Sequence, residues 1–199
     1  MLRNFFRHLH TINRHRRFVK RHCRRCGIGW QGQFHDLSKY SRCEFRAGIK
    51  YYQGYRSPND MEREQLGYSE AWMHHKGCNR HHYEYWTDYD PVTRSMRPVE
   101  MPVRYAAEMF CDRVAASKTY NGDKYTDGDS LEYYLRSKGR RVIHPATEEL
   151  LEGWLTVLAE KGEKTAFRTV RGAVRADRRS RRRMKRASRK VSRASKKQK

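Results

Sequence analysis

Apolar side chains recur at roughly helical spacing through residues 2–26, at Phe5, Leu9, Ile12 and Val19, with arginine and lysine between them. That is the pattern of a helix with one buried face. His8 and His15 follow the same spacing and, seven residues apart, fall on one face two turns from each other. Gly27 ends this basic amphipathic helix. A second helical stretch begins over residues 31–39. Ser41, followed three residues later by Glu44, has the form of a capping box that starts or restarts a helix through Tyr52. His35 and Asp36 therefore sit at the end of a short helix or in a break between two.

Further along, Ser57-Pro58-Asn59-Asp60 is turn chemistry, and a helix over residues 61–76 brings His74 and His75 to its C-terminal end, before the stop signals Gly77 and Asn79. Residues 83–101 are rich in aromatics, Thr and Pro, which suits a short hairpin or irregular excursion better than a helix. Pro102 is placed to open a helix through Tyr105, Met109 and Val114 that carries Asp112. Another helix follows Ser130, and His144 before Pro145 marks the turn into a last one over residues 146–159, with Leu150, Leu151, Trp154, Leu155 and Leu158 on one side. The expected fold is all-α: a bundle of about six helices spanning residues 1–162, with a short excursion and a basic low-complexity tail over 163–199.

Charge alters the picture at the two ends only. The chain of 199 residues carries a formal charge of +23, but residues 1–25 hold nine Lys/Arg and no acid, residues 178–199 hold thirteen and no acid, and the middle is nearly balanced. The tail, with Arg181, Arg182, Arg183, Lys185 and Arg186, has almost nothing apolar to bury. Alone it is expected to be disordered or a lone exposed helix, and to contact nucleic acid or another polyanion through phosphates without base specificity, or simply to keep the protein in solution. No apolar run approaches the roughly 18 residues of a membrane span. Five unevenly spaced cysteines and no leader-like segment suggest a reducing cytoplasm. Cys23 and Cys26 have the spacing of a zinc knuckle, but no second pair follows, and buried small side chains are the better reading. Trp72 and Trp154 are expected in the core.

The chemistry concentrates in Phe34-His35-Asp36-Leu37-Ser38-Lys39, followed by His74-His75 and His81-His82. An imidazole and a carboxylate together suit one or two divalent transition ions, Mn, Fe, Zn, Co or Ni, better than calcium. Lys39 would neutralise a phosphate oxygen if a helix continued from His35 and placed both on one face. His74 and His75 are candidate metal ligands, and His81 and His82 are candidates for a second metal or for substrate phosphate. His8 is a weaker outer ligand, and all these histidines also fit polar loops.

The segment His35-Asp36-Leu37-Ser38-Lys39 resembles the His-Asp-x-x-Lys motif of the HD-domain superfamily of metal-dependent phosphohydrolases. The resemblance implies an HD-like helical fold with His15 as a first-helix ligand, His35 and Asp36 as the central pair and Asp112 as a late aspartate. Otherwise His15 belongs to a solvent-facing basic helix and Asp112 pairs with Arg113 or Arg104. More narrowly, Arg14-His15-Arg16, Tyr51-Tyr52-Gln53-Gly54, Ala71-Trp72-Met73-His74-His75-Lys76 and Ala106-Ala107-Glu108-Met109 look like an uncharacterised family of bacterial and phage-borne proteins. The expected activity is hydrolysis of a phosphate ester, a nucleotide or a related small phosphorylated metabolite, with Asp36 and Lys39 in catalytic roles. The alternatives are a metal-stabilised protein binding nucleic acid through its basic ends, and a di-iron oxidase on the same ligands.

Overall fold

The computed structural model describes residues 1–197. Helix accounts for 73% of the chain and the strands for one hairpin, so the fold is all-α with a short excursion. The helices are α1 (Leu2–Arg25), α2 (Gly29–Gln33), α3 (Arg42–Lys50), α4 (Pro58–Leu66), α5 (Glu70–Cys78), α6 (Val103–Asn121), α7 (Asp129–Leu135) and α8 (Pro145–Lys197). The hairpin pairs β1 (Thr87–Asp90) with β2 (Ser95–Pro98) antiparallel, Thr87 opposite Pro98.

Eight helices stand where about six were expected, because local backbone chemistry divides two of them. The helix expected over residues 61–76 breaks at Gly67, which ends α4 in the left-handed region at φ 81°. Ser69 then accepts the Trp72 N–H at 2.9 Å and starts α5. Between α2 and α3 the chain also leaves the helix, and a 3-10 turn over Leu37–Tyr40 intervenes. Ser41 caps α3 as expected, accepting from the Glu44 N–H at 3.4 Å. The carboxylate of Glu44 does not complete a capping box; it turns to the histidines of α5.

The core lies where α1, α6 and α8 meet. Val19, Cys23 and Cys26 from α1 and its end pack with Ala106, Phe110, Val114 and Ala115 of α6 and with Leu151, Trp154, Leu155 and Leu158 of α8. Phe110 meets Trp154 and Phe167 edge-on, with ring centroids 6.2 and 5.4 Å apart. Cys23 and Cys26 are buried small side chains as expected, the Cys111 thiol lying 3.5 Å from that of Cys26. His22 is buried too, its Nδ1 donating to the Cys111 carbonyl at 3.3 Å.

The expected last helix stops close to its expected limit: Gly162, at φ 73° and ψ 168°, is non-helical and divides α8 at a kink, and a second helical part follows. Ala166, Phe167, Val170 and Val174 then return apolar side chains to the same core. Apolar packing onto the core thus continues to Val174, past the break at Gly162. Past that point no described side chain is buried, and all but the half-buried Asp177 are exposed. No helix among the described residues is long and apolar enough to cross a membrane.

Candidate metal centre

Five short segments converge beside the core. α1 supplies His15, the turn after α2 supplies His35 and Asp36, α5 supplies His75, the loop after it supplies His81 and His82, and α6 supplies Asp112. Asp36 adopts the left-handed region at φ 54°, one of two non-glycine residues with positive φ among those described. Such a backbone is costly for most side chains and best tolerated by Asp and Asn. This turn, rather than a continuing helix, brings Lys39 to within 2.5 Å of Asp36 Oδ2.

The two oxygens of Asp36 face different partners. Oδ2 lies 3.2 Å from His35 Nε2 and 3.7 Å from His15 Nε2, and both imidazoles also reach Asp112 Oδ1, at 3.3 and 2.9 Å. Oδ1 lies 3.4 Å from the Nε2 atoms of both His75 and His81. The ligand atoms thus form two groups that share Asp36: His15, His35, Asp36 and Asp112, and Asp36, His75, His81 and His82, each with its atoms within 4.8 Å of one another.

Several of these atoms have no hydrogen-bond partner despite complete burial. They are the Nε2 atoms of His15, His35, His81 and His82 and both oxygens of Asp36, of which Oδ2 keeps the ion pair with Lys39. Their close approaches to one another lack hydrogen-bond geometry, and leaving buried polar atoms unmatched costs about 1–3 kcal/mol each. A cation in each group would satisfy them together. Charge balance supports the same reading: Asp36, Asp112, Glu44 and Glu108 bring four carboxylates to a buried site that also holds the Lys39 ammonium.

The carboxylates behind the imidazoles fix their orientation. With Nδ1 as donor, His35 reaches Glu108 Oε1 at 2.9 Å and His75 reaches Glu44 Oε2 at 2.7 Å, leaving each Nε2 lone pair aimed inward. His81 Nδ1 lies 3.5 Å from the same Glu108 oxygen, and Gln31 Nε2 donates to the other oxygen of Glu108. A third close group, His35, His81 and Glu108, is this supporting layer. Glu108 and Glu44 are site residues that the sequence reading did not assign. Glu108 stands one helical turn before Asp112, a usable signal, whereas Glu44 was read as a capping residue.

Electrostatics follow from burial among opposite charges. Burial opposes ionisation of Asp36, but His35 and Lys39 outweigh it and hold its pKa well below the usual carboxylate range. For Asp112 burial is again overcome, here by the close approach of the His15 and His35 imidazoles, which holds its pKa well below the usual carboxylate range. His35 is pushed the other way: burial disfavours its charge, yet Asp36 and the other carboxylates raise its pKa well above the ordinary value. Burial lowers His81 to about 4, with His35 adding to the effect, and burial beside His81 and His75 holds His82 well below the ordinary imidazole value. These two are neutral at pH 7, the state a metal ligand needs, whereas an ion beside His35 would have to displace the second ring proton that the carboxylates favour there.

The structure therefore brings together His15, His35, Asp36, His75, His81, His82, Asp112 and Lys39. His74 stands apart: its Nδ1 goes to Glu44 Oε1 at 2.7 Å and it joins none of the ligand groups. His8 also lies outside them, packed against Phe45 and Tyr52. Trp72, expected in the core, is half-buried and walls the second ligand group, its ring 4.8 Å from that of His82. The loop before the hairpin supplies ligands, while much of the hairpin is exposed.

Residues 4–157 match a family of unknown function, DUF5662. The chain belongs to that family. No curated protein and no solved structure matches it. The family carries no assigned reaction, so the chemistry rests on the residues.

Proposed function

We propose that this DUF5662 protein is a two-metal hydrolase of phosphate esters, acting on a nucleotide or a related small phosphorylated metabolite. The observation that carries the reading is Asp36, whose two oxygens face two separate imidazole sets. His15, His35 and Asp112 would hold one ion and His75, His81 and His82 the other, with Asp36 shared between the two groups.

Two divalent ions bound there supply a nucleophile from water near neutral pH and stabilise charge on the attacking and leaving oxygens. The protein does the rest. Glu108 and Glu44 hold His35 and His75 in the ligating tautomer. Lys39, paired with Asp36 and about one-third exposed at its side chain, would take a phosphate oxygen. Its ammonium stays charged: burial opposes this, but Asp36 and Asp112 outweigh it. Hydrolysis adds water across the P–O bond, giving phosphate and an alcohol or a shortened nucleotide.

The test pairs elemental mass spectrometry of the purified protein with phosphate release from nucleotides and simple phosphoesters. About two metal equivalents, lost in Asp36→Asn together with turnover, are expected. A protein that takes up no metal on reconstitution, or whose turnover survives Asp36→Asn, would overturn the reading.

A further inference from the structure

A second feature lies on the far side of Glu108 from the imidazoles. Between the turn after α1, α2, the start of α6 and the outer part of α8 is a cleft of about 290 Å³. That is close to the lower limit of small-molecule sites, roughly 300 Å³. Buried Ile28 and Val174 line it, and around them stand Trp30, Arg104, Arg178 and Arg181. Trp30 is 80% exposed, and Phe34, with its ring centroid 5.3 Å away, is 54% exposed. Trp30 and Phe34 thus form an exposed aromatic pair, and Trp30 lines the same cleft as Arg104, Arg178 and Arg181.

The cleft opens onto a long basic row. Lys164, Arg168, Arg171, Arg175, Arg178, Arg182, Lys185 and Arg189 recur every three or four residues along α8, and all are exposed. That spacing puts them on one face, beside the buried face of Phe167, Val170 and Val174. The row is tied to the cleft at Gly27, whose carbonyl accepts from Arg178 at 2.9 Å. Asp177 engages Arg181 at 2.9 Å, leaving the cleft net positive.

We propose that this cleft and row bind single-stranded nucleic acid, with an unpaired base stacked on Trp30 and the phosphates following the basic row of α8. Arginine suits the row, because its planar fork meets phosphate oxygens in pairs. An exposed indole among cations is a platform for a base freed from its own stack. A membrane surface fits less well. Across residues 178–189 the helix carries one large apolar side chain, Met184, and so has no face to insert among lipid chains. The inference does not rest on the metal centre.

The experiment uses the full chain in chelator, so that its outcome is separable from that of the metal reading. Fluorescence anisotropy follows binding to a labelled mixed-sequence single strand of about 12 nucleotides and to the blunt duplex of the same sequence, with phosphatidylserine vesicles tested by co-sedimentation. Tighter binding to the single strand is expected, falling linearly in log–log form with salt. Replacing Arg175, Arg182 and Lys185 together by Gln should reduce that slope by about 2. Trp30→Ala should weaken binding roughly tenfold and leave the slope unchanged. All four positions are exposed, so the melting temperature should hold. Equal or tighter binding to the duplex or to vesicles would overturn the proposal, as would single-strand binding untouched by Trp30→Ala or no binding at low salt.

Discussion

Replacing Glu108 by Gln isolates the carboxylate that aims His35. The side chain is 4% exposed and bonded on both oxygens, accepting from His35 Nδ1 at 2.9 Å on one and from Gln31 Nε2 on the other. Glutamine keeps the shape but offers one oxygen and one NH2. Either His35 or Gln31, both donors here, must then face a donor. Leaving one such buried group unmatched costs about 1–3 kcal/mol, and the charge that makes the imidazole more basic is also lost. Removal of such a partner typically weakens metal binding about 10–100-fold, or roughly 1.4–2.7 kcal/mol. The loss should fall mainly on the ion held by His15, His35 and Asp112, since His81 stands farther from Glu108, at 3.5 Å. Glu44→Gln should instead weaken the other ion, because it orients His75. Competition titration against a chromophoric chelator resolves the two affinities. Unchanged affinity in a correctly folded Glu108→Gln variant, or the same step weakened in both variants, would refute the two-site arrangement.

A chain ended at residue 162 should fail to fold, whereas one ended at 177 should melt as the whole protein does; burial is worth roughly 1.5–3 kcal/mol for each of Phe167, Val170 and Val174, a sum comparable with the about 5–15 kcal/mol of a typical domain. Circular dichroism during thermal melting separates the two outcomes. Gly48→Ala should destabilise by roughly 1–3 kcal/mol, because a Cβ there would stand 2.0 Å from His8 Nε2 in a buried ring, and a melting temperature unchanged from that of the parent would contradict this packing. Burial lowers His22 from 6.5 to about 4, so the unfolded chain takes up this proton first as acid is added. Stability is then intact above pH 6.5 and falls between pH 6.5 and about 4, by roughly 3 kcal/mol from this group at the lower limit. Denaturant titrations across that range should show a shallower pH slope for His22→Phe; the parent slope in that variant would assign the acid sensitivity elsewhere.

Much of this was legible from residue type and spacing. The period of Ile12, His15 and Val19 predicted α1, and His8 and His15 do lie on its buried side. The His35-Asp36 pair pointed to a cation before any geometry was known. Spacing could not place the other ligands, because His75, His81, His82 and Asp112 reach Asp36 through contacts between separate elements. It did not distinguish His74 from His75, neighbours of which one turns inward and the other to the outer oxygen of Glu44. Nor did it show the packing that follows Gly162, for a similar reason. Phe167, Val170 and Val174 are sparse among arginines, and an apolar position every few residues is enough only when a core is waiting for it.

Sequence alone determined the helical class and the basic ends, which follow from composition and local period, and singled out His35 and Asp36 as residues that could hold a metal. Tertiary structure decided that Asp36 faces two ligand sets, that Glu108 and Glu44 orient the imidazoles, and that Trp30 stands in a cationic cleft. Each of these depends on which side chains distant in sequence are pressed together when the apolar faces of α1, α6 and α8 close on one another.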